Sequence, residues 1–323
     1  MKNYLPVSAI EAALRTHSSE WQALITARTE PLTPLTTTTT AHLTPPKGIR
    51  AVVFDIYGTL LISGSGEVGT ATDNYSDYKK PLSFSHAFDS VGVTPSSSDE
   101  KFNELCTNLY IDTIKARHAE LSQAGVDYPE VNILEIWQSI WQSLDETREI
   151  ELNGYTLIKL ALEYELAANP TWLMPNVRHT LESLSQSEYH LGIVSNAQFY
   201  TPLILETLLG SSLDEAGFSN DLLVWSYQLG RAKPSPRMFA PLVETLKNTY
   251  SIAPSEVLYV GNDMLNDIYT ASASGCKTAL FAGDRRSLRL RGENSLVQSL
   301  QSDAIITDIS QLQQLLELSH VKE

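Results

Sequence analysis

The chain has 323 residues, of which 42% are hydrophobic and 19% charged, with 16 Gly and 15 Pro. That is a globular composition and excludes collagen, coiled coil and wholesale disorder. The 38 acidic residues outnumber the 23 basic ones, giving a net charge of −15, which disfavours nucleic acid and anionic membranes as partners.

At the N-terminus, Ser8-Ala9-Ile10-Glu11 reads as a capping box opening a helix with an apolar stripe of Ile10, Leu14, Trp21, Leu24 and Ile25. The helix is expected to stop before Pro31. Met1 to Ile25 mixes Lys2, Glu11, Arg15 and Glu20 among its apolar residues, so it has no signal-peptide core. Pro31 to Lys47, with Thr36 to Thr40 in a row and Pro45-Pro46, reads as an extended arm. The helix is read as a strap on the domain surface, and it or the inserted helices described below are the candidate homodimer contact. No apolar run approaches the roughly 20 residues that span a membrane. The 2 cysteines, Cys106 and Cys276, offer no disulfide framework, so the cytoplasm is the expected compartment.

From Ile49 onward, short apolar runs alternate with helical stretches. Strands are expected at Ala51–Phe54, Leu191–Ser195, Leu222–Ser226, Val257–Val260, Thr278–Phe281 and Ala304–Thr307. Continuous apolar runs of this length suit a parallel sheet covered on both faces. The pattern is doubly wound α/β, a Rossmann-like core. One long interval between the first two strands breaks the rhythm. There Ile133, Ile136, Trp137, Ile140, Trp141 and Leu144 share one helix face, Phe102, Leu105 and Leu109 suggest a second helix, and Leu157, Leu160, Ala161 and Tyr164 a third. The expected units are residues 1–48 (N-terminal helix and arm), 49–62 with 176–323 (α/β core) and 63–175 (helical insert). Gly64, Gly66 and Gly69 read as a hinge into the insert.

Polar residues gather at the carboxyl ends of the strands, where open α/β sheets bind ligands. The first strand runs into Asp55-Ile56-Tyr57-Gly58-Thr59, the second ends in Ser195-Asn196, Lys233 follows the third, and the fourth runs into Gly261-Asn262-Asp263-Met264-Leu265-Asn266-Asp267. Asp263 and Asp267 are hard oxygen ligands that suit Mg²⁺. Arg285, Arg286, Arg289 and Arg291 cluster after the fifth strand and read as a solvated helix start rather than an active-site rim.

This ordered set resembles the four motifs of the haloacid dehalogenase superfamily of hydrolases, over about Ile49 to Leu316, and the helical insert resembles that superfamily's type-1 cap. The resemblance implies Asp55 as a covalent nucleophile, Ser195 hydrogen-bonding the transferring group and Lys233 orienting Asp55, and Tyr57, Thr59 and Asn196 beside them complete the candidate catalytic set. It also implies a cofactor, Mg²⁺, held by Asp55, the Tyr57 carbonyl and one of Asp263 and Asp267. The substrate would be a small anionic molecule. Two branches compete. Phosphatase members carry an acid two residues after the nucleophile; here that position is Tyr57, a pattern like the dehalogenase branch. Dehalogenases use an Arg after the first motif and a Tyr after the motif Lys. Here the first Arg past the strand is Arg117 and the Tyr position is Phe239. The favoured reading is Mg²⁺-assisted hydrolysis of a phosphate ester. The alternatives are a metal-independent 2-haloacid dehalogenase and a non-catalytic ligand-binding relative.

Overall fold

The structure is a computed structural model and describes residues 4–65, 84–147 and 150–318. In chain order it begins with helices α1 (Val7–Thr16) and α2 (Ser18–Arg28), then strands β1 (Ala51–Phe54) and β2 (Leu61–Ser63). The helical insert follows as α3 (Phe84–Ser90), α4 (Asp99–Gln123), α5 (Ile133–Ser143) and α6 (Gly154–Ala168). Strand β3 (Thr171–Leu173), α7 (Val177–Ser185), β4 (His190–Ser195), α8 (Tyr200–Leu209) and β5 (Phe218–Trp225) come next. The chain then forms a helix over Ala240–Tyr250 and strands β6 (Val257–Gly261), β7 (Lys277–Phe281) and β8 (Ala304–Ile306).

Six strands pair in the order β5-β4-β1-β6-β7-β8, every pairing parallel. All four residues of β1 are buried. Alternate side chains feed opposite faces of the sheet. Val52 and Phe54 join the core shared with the insert, while Ala51 and Val53 pack with Leu242 and Leu246 of the helix on the other face. The chain leaves β1 toward β4 on one side and leaves β6 toward β7 on the other. The crevice outside the carboxyl ends of β1 and β6 is therefore the topological switch point.

The six expected strands all form, with ends within a few residues of those read from the sequence. A small antiparallel pair, β2 with β3, goes unsignalled by the sequence. It joins the two chain crossings between sheet and insert, and Gly64 N–H donates to the Pro170 carbonyl beside it at 2.8 Å. Gly66 and Gly69 of the expected hinge lie outside the described residues.

The N-terminal helix is two helices. His17 leaves helical geometry at φ −108° and ψ 25° and ends one while starting the other. Ser8 sits inside α1, whose N-cap is Pro6, so the capping box does not form. Trp21 and Ile25 of α2 are buried, and Arg28 donates from Nε to Glu163 Oε2 of α6 at 2.9 Å. The Thr-rich arm then runs along the far side of the core. Thr37 donates to the Ala282 carbonyl at 2.7 Å, and His42 pairs antiparallel with Ile305, covering the edge strand β8.

Candidate active site

Asp55 follows β1 and keeps one carboxylate oxygen for its neighbours. Its Oδ1 accepts from Ser195 Oγ at 3.0 Å and from Lys233 Nζ at 2.7 Å. Among the described residues Oδ2 takes neither bond. Ser195 ends β4, so two adjacent parallel strands deliver carboxylate and hydroxyl side by side. Asn196 locks the lysine loop: its Oδ1 accepts from Lys233 N–H at 2.7 Å and its Nδ2 donates to the Lys233 carbonyl at 3.2 Å.

Lys233 is buried, and its three N–H donors lie within hydrogen-bond distance of four oxygens: Asp55 Oδ1, Asp267 Oδ1 at 2.6 Å, Tyr259 OH at 2.8 Å and the Val194 carbonyl at 3.2 Å. Burial pulls the ammonium's pKa down, but the carboxylates of Asp267 and Asp55 outweigh it and hold it above the ordinary lysine value. Burial pushes the Asp267 carboxyl up to about 7; Lys233 opposes this, and the neighbouring Asp55 and Asp263 add to it. Tyr259, missed in the sequence, lies mid-strand in β6. An apolar run hides a tyrosine whose hydroxyl donates to the Val194 carbonyl at 2.7 Å.

Gly58 and Gly261 permit two close approaches. Gly58 has φ +84°, and a Cβ there would fall 2.5 Å from Ser287 Cβ and 2.7 Å from Asn262 Nδ2. A Cβ on Gly261 would meet Asp267 Cγ at 2.4 Å, so only glycine lets Asp267 fold back under the strand. Thr59 Oγ1 donates to Asn262 Oδ1 at 3.0 Å, tying the first motif to the fourth.

The two fourth-motif acids are already engaged. Asp263 Oδ1 accepts from Leu265 N–H at 2.8 Å, and its Oδ2 accepts from Arg291 Nη2 at 2.8 Å. Asp267 Oδ2 accepts from Asp263 N–H at 2.9 Å while Oδ1 faces Lys233. Among the described residues no group of three acidic, His or Cys side chains stands where it could hold a metal ion. In this structure both acids are thus occupied by protein partners rather than standing open beside Asp55. Asp263 caps the π-helical turn Met264–Tyr269 instead. The arginine run after β7 is a turn, not a helix, and Arg291 brings that turn to the site's edge. Spacing could not show this, because the loop folds back through the Arg289–Asp263 bridge.

Tyr57 is buried and its hydroxyl lies 3.1 Å from Thr201 Oγ1. Burial drives its pKa well above the ordinary phenol value, Glu165 and Asp55 add to the rise, and the Thr201 bond opposes it. Tyr57 is therefore a neutral phenol at physiological pH and no base. Glu165, on α6, is itself buried, and burial raises its carboxyl against hydrogen bonds from Tyr200 and Asn169. The insert also bonds to the motif loops. Gln198 Nε2 donates to the Val131 carbonyl at 2.8 Å, Ser226 Oγ donates to Glu130 Oε2 at 2.8 Å, and Ser235 Oγ donates to Asp127 Oδ2 at 2.6 Å. Those partners come from distant segments, so no local pattern announces them.

The two residues that would mark a dehalogenase lie elsewhere. Arg117 is on α4, with Nη1 3.1 Å from Glu120 Oε2 and Nη2 3.6 Å from Glu135 Oε2. Phe239 is fully buried with its ring 4.9 Å from that of Tyr259.

A family model for haloacid dehalogenase-like hydrolases matches residues 49–275. The chain is 27% identical over 180 residues to a glyceraldehyde 3-phosphate phosphatase of Pyrococcus furiosus, covering 50% of this chain and 68% of that protein. It is 34% identical over 135 residues to a phosphoglycolate phosphatase of Salmonella choleraesuis, covering 41% of this chain and 50% of that protein. The chain thus spans about half to two thirds of these curated relatives. Among solved structures, a HAD phosphatase from Thermococcus onnurineus matches at a TM-score of 0.49 and 21% identity, covering 84% of this chain and 100% of that one. A 2-haloacid dehalogenase from Pseudomonas syringae pv. Tomato matches at 0.49 and 17%, covering 83% and 98%.

Proposed function

The chain belongs to the haloacid dehalogenase-like hydrolases, and within that family we propose that it hydrolyses a phosphate ester of a small molecule through a covalent aspartyl phosphate on Asp55. The observation that carries this is the asymmetry of Asp55. Lys233 and Ser195 both hold Oδ1, which leaves Oδ2 as the attacking oxygen. Oδ2 bonds to phosphorus as the ester P–O bond breaks, and the departing oxygen keeps the electron pair and takes a proton from water. A second water then cleaves the acyl phosphate, releasing phosphate and restoring Asp55. Lys233 and Ser195 balance charge on the phosphoryl oxygens in both steps. The helical insert acts as the cap that excludes bulk water, bound to the motif loops through Gln198, Ser226 and Ser235.

The phosphatase names of the curated relatives support this reading. So does the placement of Arg117 on α4, beside Glu120 and Glu135 rather than beside Asp55. Phosphatases of this family typically use Mg²⁺. The side chains here offer no ready acidic pair for it, and no step above depends on it. A screen of acyl, aryl and alkyl phosphates against 2-halo acids, with and without EDTA, tests the proposal. Release of inorganic phosphate is expected, and release of halide with EDTA present would replace it with the dehalogenase reading.

A further inference from the structure

We infer that the fourth-motif position facing the nucleophile loop is Asn262, not Asp263, so that this site lacks the second carboxylate with which a divalent cation would bridge to Asp55. The inference deepens the reading above and rests on Asp55, whose Oδ2 takes no bond from Ser195 or Lys233 among the described residues. Two hydrogen bonds fix Asn262, one to the first motif and one to the loop after β7, and its amide packs close to Gly58. Thr59 Oγ1 donates to Asn262 Oδ1 at 3.0 Å, Asn262 Nδ2 donates to the Ser287 carbonyl at 2.6 Å, and that amide lies where a Cβ on Gly58 would have to go. Both ends of the amide are thereby satisfied, and both partners stand on the loops that wall the crevice.

Asp263 comes next in the chain, and its backbone is extended, at φ −119° and ψ 121°. Successive side chains on extended backbone point to opposite sides. With Asn262 turned toward Gly58 and Thr59, Asp263 turns away from them. It meets Leu265 N–H, Asn266 N–H and the Arg291 guanidinium, whose Nε also lies 3.2 Å from Oδ2. Arg291 holds a left-handed backbone, at φ +50°, to make that contact. The Asp263–Arg291 pair is thus a clasp that binds the loop after β7 to the end of β6. Met264 N–H donating to the Arg289 carbonyl and Arg289 N–H donating to the Asn262 carbonyl reinforce it. Asp267 is held by Lys233 and cannot serve without abandoning that buried ion pair. A hard cation gains affinity with each anionic ligand, so the neutral amide makes this a weak site, and an acid at position 262 would strengthen it.

The test is Mn²⁺ binding to the full chain, read from the electron paramagnetic resonance signal of the free ion, with thermal melting of each variant alongside. Asn262→Asp should tighten Mn²⁺ binding by about tenfold or more, and adding Asp55→Asn should remove that gain. Asp263→Asn should leave the affinity within about twofold of the parent while lowering the melting temperature, because it removes the carboxylate that pairs with Arg291 while keeping an oxygen for the helix cap. The inference is overturned if Asp263→Asn weakens Mn²⁺ binding about tenfold, or if folded Asn262→Asp binds no more tightly than the parent. Should Asn262→Asp fail to fold, Asp263→Asn alone decides between a clasp and a ligand. Hydrolysis is not read here, so failure of the phosphatase reading would appear only in the substrate screen.

Discussion

Lys233 Nζ lies 2.6 Å from Asp267 Oδ1, with each side chain 2% exposed. The same ammonium lies 2.7 Å from Asp55 Oδ1, so the buried pair is joined to Asp55. Removing one partner of such a pair strands the other charge and costs about 3–5 kcal/mol. Lys233→Met should therefore lower unfolding free energy by that amount in urea titrations as well as abolish turnover. A loss below about 1 kcal/mol would mean that the pair is not holding the crevice together.

Asp55→Asn removes the attacking carboxylate while preserving a side-chain oxygen for Ser195. Turnover should fall to background with the fold retained by circular dichroism, and no phosphoryl group should be trapped at position 55 after acid quench. Appreciable residual hydrolysis would exclude the covalent route.

Tyr57 occupies the place of an acid, and burial keeps its proton in place at neutral pH. A positioned acid contributes about 10²–10⁴-fold, chiefly where the leaving group is poor. Acyl and aryl phosphates should therefore turn over far faster than alkyl phosphates. Tyr57→Asp should raise the alkyl rate by about tenfold or more and flatten the dependence on leaving-group pKa. If the wild type already handles alkyl phosphates as fast as aryl ones, an acid comes from another residue.

Glu165 has its carboxyl raised by burial above the ordinary glutamate value. The unfolded chain releases that proton near its ordinary value while the folded chain retains it. Above about pH 4.5 the native state thus binds more protons, and the group's contribution to stability declines as pH rises through the folded pKa. Glu165→Gln fixes the neutral form, so the stability of wild type relative to this variant should fall as pH increases. Denaturation midpoints for both at a series of pH values check this, and a constant difference would contradict it.

Trp21 is 1% exposed, with its ring 4.9 Å from that of Tyr155 at the start of α6. Trp21→Ala should cost about 3–5 kcal/mol, the range for emptying an aromatic site in a core. A cost under about 1 kcal/mol would show α2 to be only laid against the surface. Arg28→Ala, which breaks the pair with buried Glu163, should loosen the same contact, measurable as faster amide exchange in α6.

The sequence by itself determined the doubly wound sheet, because each core strand is a short apolar run whose burial on both faces leaves no other consistent arrangement. It also placed Asp55 and Ser195, since polar residues at the ends of buried parallel strands emerge at the same edge, and it put Lys233 in the loop that follows the third strand. The helical insert was legible from the 3.6-residue spacing of Ile133 to Leu144. Tertiary structure decided what the acids do. Asp263 and Asp267 look alike in the chain, but extended backbone turns Asp263 toward Arg291 and a glycine contact folds Asp267 back to Lys233. Arg291, Tyr259, Gln198 and Glu165 meet the site from separate segments, and no local pattern encodes a contact whose partner lies tens of residues away. Periodicity reports which side of an element is buried; the direction of one polar side chain depends on what the rest of the fold brings beside it.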